Sequence, residues 1–183
     1  MSKKIVILNG SPRKKGNTSA LVQAFAQGAE SAGHTVTEFF LDGMKIHGCK
    51  GCFGGQSSRA CPCVQRDDMK EIYPAVRTCD VIVLASPLYY WTMSGQIKTA
   101  LDRLFALEEG DGNLLRGHGR ASALLMAAEG SGFEDALLYY NHLMEHLAWE
   151  NLGHILAGGN ENVGDIEGKP EVSAAYELGK SIV

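Results

Sequence analysis

Ten consecutive residues near the start of the chain combine the groups that hold an anion. Gly10-Ser11-Pro12-Arg13-Lys14-Lys15-Gly16-Asn17-Thr18-Ser19 follows a short apolar run at 3–9 and passes straight into a helical pattern. A strand-to-helix turn of this kind aims unpaired backbone N–H groups and the positive end of a helix dipole at one point, and its Ser, Thr and Asn side chains add donors. A phosphate is the natural occupant, with a capped polar turn as the plainer alternative. Spacing excludes two familiar phosphate motifs, because neither G-x-G-x-x-G nor G-x-x-x-x-G-K-[ST] fits. Displacement at phosphorus by a thiolate is excluded too, since the turn contains no Cys.

Two later turns could share that ligand. Ser86-Pro87-Leu88-Tyr89-Tyr90-Trp91-Thr92-Met93-Ser94-Gly95 places three successive aromatics after the most apolar run of the chain. Such residues pack on a flat heteroaromatic ring while nearby backbone groups meet its polar edge, or they merely roof the core. Ala127-Ala128-Glu129-Gly130-Ser131-Gly132 is a Gly-rich turn that lets backbone approach a ligand closely.

The elements that must position these turns alternate in type. Strand-like runs at 3–9, 35–41, 80–86, 121–128 and 152–157 are separated by helical patterns at 17–32, 67–78, 94–107, 133–149 and 171–182. Leu21, Val22, Phe25, Ala26 and Ala29 share one face of the first helix, and Gly33 stands where a C-terminal cap is needed. Such alternation predicts β-α-β units around a mostly parallel sheet, whose ligand binds beyond the C-terminal strand ends. The turns after the first, third and fourth strands all lie there.

Here the residues resemble a known family. Gly10-Ser11-Pro12-Arg13 with Gly16-Asn17-Thr18, and Ser86-Pro87-Leu88-Tyr89 with Ser94-Gly95-Gln96-Ile97-Lys98, are similar to motifs of the NADPH-dependent FMN reductase and iron-sulfur flavoprotein group. Trp149 to Gly153, Ala157-Gly158-Gly159 and Glu177 to Lys180 also look like that group, so the likeness spans nearly the whole chain. It implies an α/β, flavodoxin-like three-layer sandwich: a five-stranded parallel sheet in the order 2-1-3-4-5 with helices on both faces. Residues 1–183 would form one FMN-binding domain, with a Cys-rich loop at 43–66. By the resemblance, Ser11, Arg13, Asn17, Thr18 and Ser19 hold the FMN phosphate. Pro87, Leu88, Tyr89, Tyr90 and Trp91 border the flavin, as do Glu129 and Gly130. Asp102 and Arg103 are read as structural. The implied activity passes electrons from NADPH or NADH through FMN to a small acceptor of quinone, nitro, flavin or iron type, with no side chain as nucleophile and a homodimer as the assembly. A non-enzymatic electron carrier is the alternative.

Cys49, Cys52, Cys61 and Cys63 fall in the 43–66 loop. The iron-sulfur flavoproteins draw four cluster ligands from this region, but here Phe53-Gly54-Gly55 stands where a third cysteine would be expected. Cys61 as a substitute ligand, a zinc half-site and free thiols are all compatible with the sequence, and we expect no metal. Cys79 reads as core. A formal net charge of -4 and a pI near 5.9 exclude the basic footprint of nucleic-acid binding. They also argue against the strongly acidic steering surface of a protein-docking carrier. The apolar runs are too short to span a membrane, and the N-terminus lacks a signal-peptide pattern, so a cytoplasmic location is expected.

Overall fold

A computed structural model describes residues 1–55, 62–109 and 112–183. Five parallel strands form its centre: β1 (Lys4–Asn9), β2 (Thr35–Phe40), β3 (Val81–Tyr89), β5 (Ala121–Ala127) and β6 (Glu150–Ala157), while β4 (Thr92–Met93) pairs antiparallel with the end of β3. The sheet order is β2-β1-β3-β5-β6. Apart from the inserted hairpin strand, this is the arrangement that the resemblance implies.

The inner strands are apolar on both faces because helices cover both. In β1, Ile5 and Ile7 join a cluster with Leu21, Val22 and Phe25 of α1 (Asn17–Ser31) and Ala175 of α5 (Pro170–Lys180). Val6 and Leu8 point the other way. They join a second cluster with Ile72, Tyr73 and Val76 of α2 (Met69–Thr78), Ile97 and Leu104 of α3 (Gly95–Glu108), and Tyr140 and Met144 of α4 (Glu134–Leu147). Helix α1 ends as expected: Gly33 has φ +88° and donates its N–H to the Glu30 carbonyl.

Register aligns the strand ends that matter. Asn9 lies beside Ala85, Pro87 beside Ala127, and Ala127 beside Ala157. The turns after β1, β3, β5 and β6 therefore open on one edge of the sheet.

Several boundaries differ from the sequence reading, three of them with a structural cause or consequence. Strand β3 runs on to Tyr89 and folds back as β4, so the aromatic segment is a hairpin instead of a loop. Strand β6 starts at Glu150, with a register irregularity opposite Ser122 to Leu124. Helix α2 begins at Met69, because the Asp67 carboxylate accepts the Met69 N–H and turns inward to Arg103. Among the described residues, no helix is long and apolar enough to cross a membrane.

Candidate active site

The β1–α1 turn is held in shape by its own polar groups. Buried Asn9 accepts the Ser11 N–H and donates from its amide to Ser19 Oγ and Glu38 Oε1. The Ser11 and Ser19 hydroxyls both donate to the Arg13 carbonyl, at 3.0 and 2.9 Å. Those hydroxyl protons are thus committed to the loop itself. Asn17 accepts the Gly164 N–H and donates to the Asn162 carbonyl, tying the turn to the segment after β6.

Other donors at this turn remain available. Gly16 occupies the N-cap of α1 and offers no side chain, and the first helical bond runs from Ala20 N–H to Gly16 O. The N–H groups of Asn17, Thr18 and Ser19 are left without acceptors among the described residues. Arg13 is exposed and forms no ion pair among those residues.

The other turns close on this one. Ser94 donates its hydroxyl to the Gly10 carbonyl and its N–H to Ser86 Oγ, joining the β1 and β3 turns. A Cβ at Gly10 would collide with Ile97 and with Ser94 Oγ, so only Gly allows this approach. Beyond β6, the Asn160 amide donates to the carbonyls of Ala128, Ala157 and Gly158. Lys169 Nζ donates to the Gly158 and Gly159 carbonyls and to Asn160 Oδ1. The turns after β5 and β6 are thereby clamped together.

Between them lies a cleft of about 270 Å³, lined by the turns after β1, β3, β5 and β6, close to the lower end of small-molecule sites at roughly 300–1,000 Å³. Ser11, Arg13, Asn17, Thr18, Pro87, Leu88, Tyr89 and Glu129 all line it. Ser19 is buried within the loop, and Gly130 packs its carbonyl toward Gly158 without joining the lining. Tyr90 and Trp91 form the exposed hairpin tip outside the lining. Pro12 and Gly16 of the first turn and Ala127 and Ala128 of the third, which the sequence places in ligand-facing turns without a role of their own, join the lining, as does Asn160, which sequence reasoning missed. Asn9, at the end of the first strand, and Ser94, in the second motif, support it, and no spacing signal marks Lys169.

A model of the family described as NADPH-dependent FMN reductase matches residues 3–162. The chain belongs to that family. As an NADPH-dependent FMN reductase family member it is an FMN-dependent NAD(P)H oxidoreductase, a flavoprotein with FMN as its cofactor. It is 34% identical over 182 residues to an iron-sulfur flavoprotein of Archaeoglobus fulgidus, covering 98% of this chain and 78% of that protein. The crystal structure of RosB with bound intermediate OHC-RP (8-demethyl-8-formylriboflavin-5'-phosphate) matches with a TM-score of 0.77 at 17% identity, over 98% of this chain and 75% of that one. An NAD(P)H:quinone oxidoreductase from Methanothermobacter marburgensis matches with a TM-score of 0.69 at 15% identity, over 98% and 96%. At such identities these two structures speak for the fold alone.

The cleft of this family member fits the cofactor by its chemistry. Unpaired N–H groups and a cation suit a phosphate at one end, and the apolar Pro87 and Leu88 with the Tyr89 ring suit a flat heterocycle beside it. For an iron-sulfur cluster, the described residues supply only part of the loop's thiols. Cys49, Cys52 and Cys63 line a separate recess of about 40 Å³ with Arg103 and Phe105. Among the described residues no three His, Cys, Asp or Glu side chains are placed to hold a metal, and Cys61 lies outside those residues. Burial of the Cys63 thiol would raise its pKa, but the Gln65 N–H, the Arg103 charge and the Tyr73 hydroxyl outweigh it and hold the thiol below its ordinary value. Cys79 is core, and burial pushes its thiol up to about 11.

Proposed function

We propose that residues 1–183 act as one flavodoxin-like domain that holds FMN in this cleft and passes electrons from NADPH or NADH to a small-molecule acceptor. One observation carries the reading: uncapped N–H donors, an Arg with no ion pair among the described residues and an apolar wall from three distant turns face the same cleft. Asn17, Thr18 and Ser19 would bind the phosphate through their backbone N–H groups, with Arg13 adding a charge-assisted contact. The Ser11 and Ser19 hydroxyls and the Asn17 side chain would act indirectly, by fixing the loop. Pro87, Leu88 and Tyr89 would bear on the flavin ring, while Ala127, Ala128, Glu129 and Asn160 close the opposite side.

Flavin supplies the two-electron redox chemistry when bound, and no side chain of the cleft is needed as nucleophile. The protein's part is to position the ring and limit water's access to it. A small acceptor is favoured over a docked protein because the net charge of -4 gives little electrostatic steering. The cytoplasm and a homodimer belong to this same reading.

Titrating apoprotein with FMN while following flavin fluorescence tests it, together with NADPH oxidation in the presence of an acceptor. Arg13→Ala should weaken FMN about tenfold, the loss of one partly exposed charge-assisted bond. Apoprotein that takes up no FMN, or an Arg13→Ala variant with unchanged affinity, would refute the assignment.

A further inference from the structure

Three cysteines of the 43–66 loop meet a buried cation that has a donor to spare. Cys49, Cys52 and Cys63 line one recess with Arg103 and Glu109, away from the cleft. Arg103 is buried, and its Nη1 and Nη2 are taken up by the Asp67 carboxylate and the His47 carbonyl. Its Nε–H, also buried, has no acceptor among the described residues. A buried donor left unmet is unfavourable, the more so on a charged group, and a small molecule with an acceptor oxygen relieves it. The recess, about 40 Å³, is a few times the roughly 10–15 Å³ that one water needs. Only a molecule of a few atoms fits there, and the Glu109 carboxylate on the same wall disfavours an anion. Water meets those terms; the sulfur atoms around it allow more.

Cys63 is the sulfur that this surrounding activates. Its Sγ accepts the Gln65 N–H at 3.5 Å, and that bond, Arg103 and the Tyr73 hydroxyl together outweigh the opposing effect of burial on the thiol. The thiolate is the nucleophilic form of cysteine. Cys52 is placed to follow it. A Cβ at Gly54 would stand 3.4 Å from Cys52 Sγ and 2.9 Å from Cγ1 of Val64, the residue after Cys63, so both arms of the loop meet within one side chain's reach. The Cys52 arm is also pinned: Phe53 packs edge-on against Phe105, with centroids 6.0 Å apart, and Gly55 donates its N–H to the Glu109 carboxylate at 3.0 Å. Phe53 holds φ +48° to do so, a strained conformation for a residue with a side chain. We propose that this recess is a peroxide-reactive site, in which Cys63 attacks hydrogen peroxide and Cys52 resolves the product as a disulfide. The Cys63 sulfur takes one peroxide oxygen as the O–O bond breaks, so sulfur is oxidised by two electrons to a sulfenic acid and peroxide is reduced. The departing hydroxide takes the proton that the Cys63 thiol gave up and leaves as water. The Cys52 sulfur then displaces the sulfenic hydroxyl, forming the S–S bond, and its own proton leaves with that hydroxyl as a second water. Arg103 Nε–H is the donor that holds a peroxide oxygen in place.

The test uses FMN-loaded protein with the flavin oxidised and no nicotinamide nucleotide added, so that no reduced flavin consumes peroxide. After treatment with a slight excess of hydrogen peroxide, thiols titrated in the denatured protein should number two fewer than the chain's five, and peptide mapping should find Cys52 joined to Cys63. Cys52→Ser should stop at the sulfenic acid, trapped on Cys63 by dimedone. Cys63→Ser should consume peroxide at least about tenfold more slowly, with FMN retained and a thermal midpoint within about 2 °C of the parent's. Cys49→Ser should react as the parent does. Equal rates for the parent and Cys63→Ser would overturn the proposal, as would dimedone on a cysteine other than Cys63 in Cys52→Ser. A bridge from Cys63 to Cys49 or Cys61 would overturn it by removing Cys52 from its role. Iron or zinc in the purified protein that disappears with Cys63→Ser would overturn it by giving the loop to a metal.

Discussion

Arg103 has no exposed side-chain surface yet carries a full charge, and Asp67 makes this possible. Its guanidinium donates to both Asp67 oxygens, at 2.6 and 3.1 Å, and to the His47 carbonyl at 2.8 Å. Burial of the Asp67 carboxyl opposes ionisation, but Arg103 and the N–H groups of His47 and Met69 outweigh it, and the pKa drops from 3.8 to about 2. A carboxyl depressed in the folded state stabilises fully above its unfolded pKa and loses that contribution as pH falls through the folded one. Urea denaturation should therefore show a loss of roughly 2 kcal/mol between about pH 4 and pH 2. Asp67→Asn should abolish that component and lower stability at neutral pH by about 3–5 kcal/mol, by stranding the buried guanidinium. A variant with the parent's acid profile would contradict the assignment. Arg103 is readable in the sequence as a structural residue, but its partner is not, because the pair is 36 residues apart and joined only by folding. The phosphate turn shows the same limit. Residue types at Ser11, Asn17 and Ser19 announce polar chemistry, but whether a hydroxyl faces a ligand or its own loop depends on acceptors that the sequence does not locate.

Helices α1 and α5 illustrate what spacing does and does not reveal about elements. The apolar face of α1 follows directly from Leu21, Val22, Phe25 and Ala29, while Gly28 within the same helix looks like a weak point of about 1 kcal/mol relative to Ala. Packing gives it a purpose. A Cβ at Gly28 would strike the Tyr176 carbonyl, and one at Gly179 would strike the Phe25 carbonyl. The two backbones approach through paired glycines from opposite ends of the chain. Gly28→Ala should thus destabilise by about 2–3 kcal/mol despite its better helix propensity, since backbone atoms must shift to admit the methyl. Chemical denaturation decides it: unchanged or increased stability would show that the helices separate freely. The hairpin after β3 was hidden for a different reason, because Tyr-Trp bears no likeness to the Asn-Gly signal of a two-residue turn. A mostly parallel sheet was legible through the alternation of strands and helices, whereas its order followed only from the family resemblance.

At the scale of the molecule, the cleft joins segments from Ser11 to Asn160, so its ligand should stabilise the fold as a unit. A ligand bound only by the folded state adds RT ln(1 + [L]/Kd), about 2.7 kcal/mol at a hundredfold excess over Kd. For a chain of 183 residues, that excess of FMN should raise the thermal midpoint by roughly 5–10 °C. Arg13→Ala separates binding from folding. At one fixed FMN concentration its shift should be smaller than the parent's, whereas at equal multiples of each protein's own Kd the shifts should coincide. An Arg13→Ala midpoint already depressed without FMN would mean that the exposed guanidinium supports the fold, which its lack of ion pairs among the described residues argues against. If instead saturating FMN moved the parent's midpoint by less than about 1 °C, the four turns would not be closing on a common ligand, however well their donors converge.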